Sequence, residues 1–198
     1  MMNNRFAAIV AALLLSACAS VPKDHFYTLD AAPAPMHAAK SAPRYRIAVG
    51  PVHVPEMVDR PEMVIRQGAN RVKVLEEHRW AQSLKSGISH ALASDLDLQL
   101  SEVRVISAEE YASRNADCRI TVDIERFDAM PGDSVAVDAV WTMFDAGGKP
   151  LKTGRSTARE KVNGNDYAMV AAAYSQALSA IANDIGNAIR SPDAASFR

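Results

Sequence analysis

The sequence predicts an α+β fold: an antiparallel or mixed β-sheet with two long amphipathic helices packed on one face, a two-layer sandwich. Three observations carry this. Between Arg44 and Val162 several stretches alternate apolar and polar residues and are bounded by Gly, Pro, Asn or Asp, the pattern of half-buried strands. Two other stretches, about His78 to Leu98 and Tyr167 to Ile189, repeat their apolar residues every three or four positions, which places them on one side of a helix. The strands of the second half are joined by turns, so neighbours should run antiparallel.

In order, "RYRIAVGPVHVP" puts Tyr45, Ile47 and Val49 on one side and Arg44 and Arg46 on the other, a strand that Gly50-Pro51 bends or ends. "EMVIRQGANRVKVLE" reads as a hairpin with arms Met63–Arg66 and Arg71–Leu75 and a turn at Gly68–Asn70. Trp80, Leu84, Ile88, Leu92 and Leu96 then recur every four residues, opposite Gln82, Lys85, Ser89 and Asp97, and predict the first helix. "EVRVIS" is a short strand, and "AEEYASR" one or two helical turns. Cys118, Ile120, Val122 and Ile124 share a strand face, which makes Cys118 a buried, inert thiol. Pro131-Gly132-Asp133 and "AGGKP" connect this strand to "SVAVDAVWTMFD" and "LKTGRSTAREKV" in a meander. Asn165 is placed to cap the final helix, and Ser191-Pro192 to end it.

The chain has 198 residues with 22 basic and 23 acidic side chains, a formal charge of −1. That balance offers no basic surface for nucleic acid and no acidic tail. Residues 1–17 have the form of an export signal: Arg5, then an apolar run from Phe6 to Leu15 too short to span a bilayer, then Ser16 and Ala17. Leu15-Ser16-Ala17-Cys18 resembles the bacterial lipobox. That resemblance implies a diacylglyceryl group on the Cys18 thiol, cleavage before Cys18 and acylation of its new amine. One acyl chain binds a membrane only reversibly, whereas three hold firmly. Ala19 rather than Asp follows the cysteine, which by the same resemblance implies sorting to the outer membrane. With Cys18 alkylated, Cys118 has no partner for a disulfide within the chain. The expected organisation is a signal over 1–17, a lipidated cysteine and Ala/Pro-rich tether over 18–43 with "FYTL" as a short docking strand, one α+β domain over 44–191, and a tail over 192–198.

Catalytic and cofactor signatures are missing from the sequence. The five histidines, at 25, 37, 53, 78 and 90, do not fall at metal-ligand spacing, and there is no C-x-x-C or H-E-x-x-H. No G-x-S-x-G elbow occurs, and Met143 stands where a P-loop through Gly148-Lys149 needs its first glycine. Asp123 and Glu125 alternate with arginines like an ordinary solvated strand face. The expectation is therefore a protein that is not an enzyme, with no catalytic residue, metal or cofactor.

The stretch "VGPVHVPEMVDRPEMVIR" is the one candidate for binding. Pro55 and Pro61 stiffen a loop that carries Met57 and Val58 as exposed apolar residues between charges. Val54, Pro55, Met57, Asp59, Arg60 and Pro61 form the candidate partner-binding set, since Arg and Met are favoured at interfaces. A structural crossover with Asp59 paired locally and Arg60 solvated accounts for the same residues, and the loop alone leaves both readings open.

"FYTL" after the cysteine, the D-R-P step Asp59-Arg60-Pro61 within its Val-Pro context, and "RWAQSL" at Arg79–Leu84 together resemble the ABC-type transport auxiliary lipoproteins. The family usually has Tyr-Tyr-Thr-Leu and Arg-Trp-Ala-Glu-Pro-Leu; Phe26, Gln82 and Ser83 depart from it. The resemblance implies an outer-membrane lipoprotein of a system that moves lipids or other hydrophobic molecules between membranes. Its partner would be a periplasmic mammalian-cell-entry (MCE) domain protein of an ABC transporter, whose tunnel it docks, and a self-associating ring would match the rings such partners form. Two other classes fit the composition: an envelope-structural or outer-membrane assembly lipoprotein that binds peptidoglycan or an outer-membrane protein, and a module carrying lipid in a large apolar cavity.

Overall fold

The computed structural model describes residues 23–30, 43–164 and 166–191. Cys18, the export signal, most of the tether, Asn165 and the tail over 192–198 lie outside the described residues. The eight strands are β1 (His25–Tyr27), β2 (Tyr45–His53), β3 (Glu62–Gly68), β4 (Arg71–Trp80), β5 (Val103–Ser107), β6 (Cys118–Met130), β7 (Ser134–Asp145) and β8 (Pro150–Lys161). The helices are α1 (Leu84–Gln99) and α2 (Tyr167–Arg190), with 3₁₀ turns at Glu56–Val58 and Tyr111–Asn115.

The strands form two sheets. The larger runs β5-β2-β6-β7-β8, with β2 parallel to both β5 and β6 and the last three antiparallel. The smaller runs β1-β4-β3, with β1 parallel to β4 and β3–β4 the expected hairpin. Alternation explains the meander: Ile120 faces Met143, Val122 faces Trp141 and Ile124 faces Ala139, all buried. Gly132 and Gly148 take the positive φ angles, 75° and 82°, that the two connecting turns require. The strand β2 bends at Gly50-Pro51, a cis peptide, and resumes pairing with β6 at Val52.

Both helices lie against the larger sheet, α1 over β2 and β5, α2 over β7 and β8, and they pack on each other. The fold is the α+β sandwich that the two periodicities predict. Ile88, Leu92 and Leu96 of α1 and Val170, Tyr174, Leu178, Ile181 and Ile185 of α2 are fully buried. Burying an aliphatic side chain of this size stabilises by roughly 1.5–3 kcal/mol, so the helical stripes supply much of the driving force. Lys152 of β8 ties the end of α2 down: its Nζ donates to the Ala188 carbonyl at 3.0 Å and to Ser191 Oγ at 2.6 Å. A cation there also suits the negative end of the helix dipole. The smaller sheet joins through aromatic rings. Trp80 meets Phe127 of β6 and Tyr174 of α2 edge-on, at centroid distances of 6.3 and 6.1 Å, and Phe127 stacks on Tyr174 at 3.9 Å.

Three local expectations are corrected. Helix α1 starts at Leu84, not near His78: Trp80 ends β4, and Ser83 Oγ caps the helix by accepting from the Ser86 amide at 3.1 Å. Trp80 fell on the four-residue spacing because both the strand end and the helix aim apolar side chains at one core. Ser89 is buried rather than on the outer face, its hydroxyl donating to the Val49 carbonyl at 2.7 Å and lying 2.8 Å from Ser107 Oγ. That pair of hydroxyls satisfies polar groups where α1 crosses β2 and β5. The cap of α2 is Asp166, whose Oδ1 accepts from the Ala168 amide at 2.9 Å.

Candidate functional site

The loop after β2 is clamped from three sides. Pro55 (φ −55°) opens the 3₁₀ turn, in which the Val58 amide donates to the Pro55 carbonyl at 3.0 Å and the Asp59 amide to the Glu56 carbonyl at 3.2 Å. Proline suits this place because its fixed φ matches the entry to a turn. Val58 is buried and plugs the loop onto the core, contrary to its expected exposure; its neighbour Met57 is 42% exposed, as expected. A 3₁₀ turn has three residues per repeat, so consecutive side chains point about 120° apart, and only one of the two could reach solvent.

Asp59 and Arg60 fix the far end. Asp59 Oδ2 accepts from Lys85 Nζ on α1 at 2.7 Å, so its pairing partner comes from another element. Arg60 Nε lies 3.5 Å from Glu62, which Arg79 of β4 approaches at 3.6 Å on its other oxygen. Both pairs reach solvent and each contributes roughly 0–1 kcal/mol, so they set loop geometry more than stability. The Pro61 carbonyl accepts from the Trp80 amide at 2.8 Å, which seats the loop end on β4. Val54 and Pro55 are half-buried, while Met57, Asp59, Arg60 and Pro61 are exposed, so the structure gathers the six candidate residues on one stiffened ridge.

Met57 stands between two open hollows. One, of about 600 Å³, joins Glu56, Met57, Asp59 and Arg60 to the buried Val64, the half-buried Val74 and the exposed Val72 on one face of the β3–β4 hairpin. Val64 pairs with Val74, and Arg66 with Val72, so these side chains share one sheet face. Val72 is left exposed beside Met57. Sequence reasoning did not include Val72 and Val74. The alternation in "RVKV" contained the signal, because it commits both valines to the face opposite core residues Met63, Ile65 and Leu75.

The second hollow, of about 400 Å³, lies under Pro55, Met57 and Val58 and is floored by Arg66, Arg126 and Asp128. Asp128 is buried. Its Oδ2 accepts from Arg126 Nε at 2.7 Å and lies 2.8 Å from Arg66 Nε, whose N–H is poorly aligned, so the second contact is an ion pair. Burial alone would raise the Asp128 pKa; the two guanidiniums outweigh it and hold the carboxyl below its usual value. The triad bolts β3 to β6 beneath the loop.

Cys118 is buried and free, and burial foremost, then Asp117 and Asp145, push its thiol up to about 11. Glu125 pairs with Arg155 at 2.7 Å on an exposed strand face. Among the described residues no group of three or more His, Cys, Asp or Glu is placed to hold a metal ion. The lipidation residue, Cys18, lies outside the described residues. An open groove of about 670 Å³ runs between β1 and α2, lined by Phe26, Tyr27 and small residues of the helix such as Ala172 and Ser179. It is a surface trough, not the enclosed cavity expected of a lipid-carrying core.

Fold and site together define an α+β sandwich that carries a stiffened, partly apolar loop beside an apolar hairpin face. The chain belongs to the family of ABC-type transport auxiliary lipoprotein components, whose model matches residues 27–186. Family membership makes it a lipoprotein that serves ABC-type transport. Among the described residues no helix is long and apolar enough to cross a membrane. No curated protein matches the chain. Two crystal structures share the fold. One, of an uncharacterized protein, has a TM-score of 0.69 at 16% identity and covers 84% of this chain and 99% of its own. The other, of a Xanthomonas campestris protein assigned to the family DUF330, has a TM-score of 0.63 at 15% identity and covers 82% of this chain and 92% of its own.

Proposed function

We propose that this chain is a non-catalytic outer-membrane lipoprotein, anchored through Cys18, that docks the periplasm-spanning MCE protein of an ABC-type intermembrane lipid transport system. The observation that carries the docking part is the ridge from Val54 to Pro61. It is held rigid by Lys85, Glu62 and the Trp80 amide, and presents Met57 and Arg60 next to the exposed Val72. A rigid ridge pays little ordering entropy on binding, and an apolar centre rimmed by charge is the usual anatomy of a protein interface. The family supplies the transport context; Ala19 after the lipobox-like cysteine supports the outer membrane as the destination. In this account the domain acts by position, and a ring of copies around the tunnel's end would match a ring-shaped partner.

The test is isolation of the chain from native membranes. An MCE protein and its ABC ATPase should co-purify with wild type, and Arg60→Glu should lose them while staying in the outer membrane. Retention of peptidoglycan or of an outer-membrane protein in their place would overturn the proposal. A monomeric mass for the lipid-free domain at micromolar concentration would remove the ring.

A further inference from the structure

Strand β1 is attached to the domain largely by rings. His25 and His78 are direct partners in the parallel β1–β4 pair, and their rings stack with centroids 5.1 Å apart and planes 13° apart. Tyr27, on the same strand face as His25, stacks on His78 at 5.8 Å, and its hydroxyl lies 2.7 Å from His78 Nδ1. Tyr167, the first residue of α2, packs on His78 at 4.3 Å. The other attachments are few: a three-residue pairing, the Ala81 amide donating to the Tyr27 carbonyl at 2.8 Å, the Asp30 amide donating to Ser175 Oγ at 3.2 Å, and the buried Leu29.

We propose that this ring cluster is a pH-sensitive clasp: neutral His78, packed between His25, Tyr27 and Tyr167, fixes β1 against β4 and α2, and protonation of His78 loosens it. Docking buries the His78 ring, which disfavours its charged form, and in the tautomer whose Nδ1 accepts from Tyr27 the added proton removes that acceptor. The surroundings oppose one another. Burial, His25 and Lys73 of β4 disfavour the charged ring; Glu77 of β4 and Asp166 at the start of α2 favour it. Asp24 and Arg79 flank the two histidines along the chain and face each other at 4.0 Å. Burial prevails, so His78 sits below the ordinary histidine value. A base whose pKa is lowered by docking binds more protons when undocked. The clasp is therefore intact above about pH 6.5 and weakens as pH falls below it.

One consequence rests on the lipid-anchor reading, whereas the clasp does not. With β1 docked, residues 19–24 separate Cys18 from the domain; with β1 released, residues 19–44 do. Fully extended, those lengths span roughly 20 Å and roughly 90 Å. The clasp would then set how far from the membrane the domain can work.

Hydrogen exchange on the full chain in detergent micelles, at pH 7.5 and 5.5 with rates corrected for intrinsic pH dependence, tests the clasp. The Ala81 and Asp30 amides report β1 docking, and the β7–β8 amides serve as reference. In wild type the protection of the first pair relative to the reference should fall severalfold and by no more than roughly tenfold, the most that one group with an undocked pKa of about 6.5 can supply at pH 5.5. His78→Phe keeps a ring but cannot charge, so it should stay docked at both pH values. A wild-type ratio unchanged within about twofold, a parallel loss in the reference amides, or a pH response that survives in His78→Phe would each overturn the clasp. So would a His78→Phe chain already undocked at pH 7.5.

Discussion

Replacing Asp128 with Asn tests how the Val54–Pro61 ridge is supported. The carboxylate is buried and takes Arg126 Nε at 2.7 Å and Arg66 Nε at 2.8 Å. Asparagine keeps the shape and removes the charge, leaving two guanidiniums facing a neutral amide. Breaking a fully buried ion pair costs about 3–5 kcal/mol; both arginines here reach solvent, so about 2–3 kcal/mol is expected. For a domain of this size that is a fall in Tm of about 4–12 °C. Urea unfolding gives the free energy directly, with an unchanged m-value as the sign that the fold is intact. The effect has a pH signature. Because the folded pKa of Asp128 is depressed, its contribution is fully present above the unfolded value of about 3.9 and is lost as pH falls through the folded one. The gap between wild type and Asp128→Asn should thus be full at pH 7 and close in acid. A difference below about 0.5 kcal/mol at pH 7, within the range of ordinary surface substitutions, would refute the triad as the bolt between β3 and β6. So would a gap that persists unchanged in acid.

Other consequences are as direct. A Cβ on Gly154 would collide with the Trp141 ring, so Gly154→Ala should destabilise by about 1–3 kcal/mol in thermal melts through overpacking, while Gly68→Ala, with open space around it, should change little. Cys118 is buried with its thiol pushed up to about 11, so a thiol reagent at pH 8 should leave the native chain unlabelled. In denaturant, the chain isolated from membranes should release one reactive thiol; two would contradict thioether linkage at Cys18.

Much of this architecture was legible because it is local. The β3–β4 hairpin and the β6–β7–β8 meander pair neighbouring segments, so alternation and turn residues specify them. The parallel pairings β1–β4, β2–β5 and β2–β6 join residues far apart in sequence, and no local pattern announces them or the division into two sheets. The same reason hid the His25–His78 pair: 53 positions separate them, and a cross-strand contact leaves no spacing to read. At the site, the prolines and the Asp59-Arg60-Pro61 step marked the segment that the structure stiffens into a ridge. What could not be read was which of Met57 and Val58 would turn inward, which depends on how the 3₁₀ turn seats on the core, and that Lys85 would hold Asp59, which depends on where α1 starts.

The central claim is that the Val54–Pro61 ridge and the adjoining hairpin valines form the docking surface. The most direct test is the affinity of the chain for the periplasmic part of an MCE partner, measured calorimetrically for wild type, Arg60→Glu, Val72→Asp and a remote charge reversal, Lys149→Glu in the β7–β8 turn. The account predicts that the first two variants bind at least about tenfold more weakly, as for anchors of an interface, and that Lys149→Glu matches wild type. Wild-type affinity in both Arg60→Glu and Val72→Asp, with their folds intact, would contradict it.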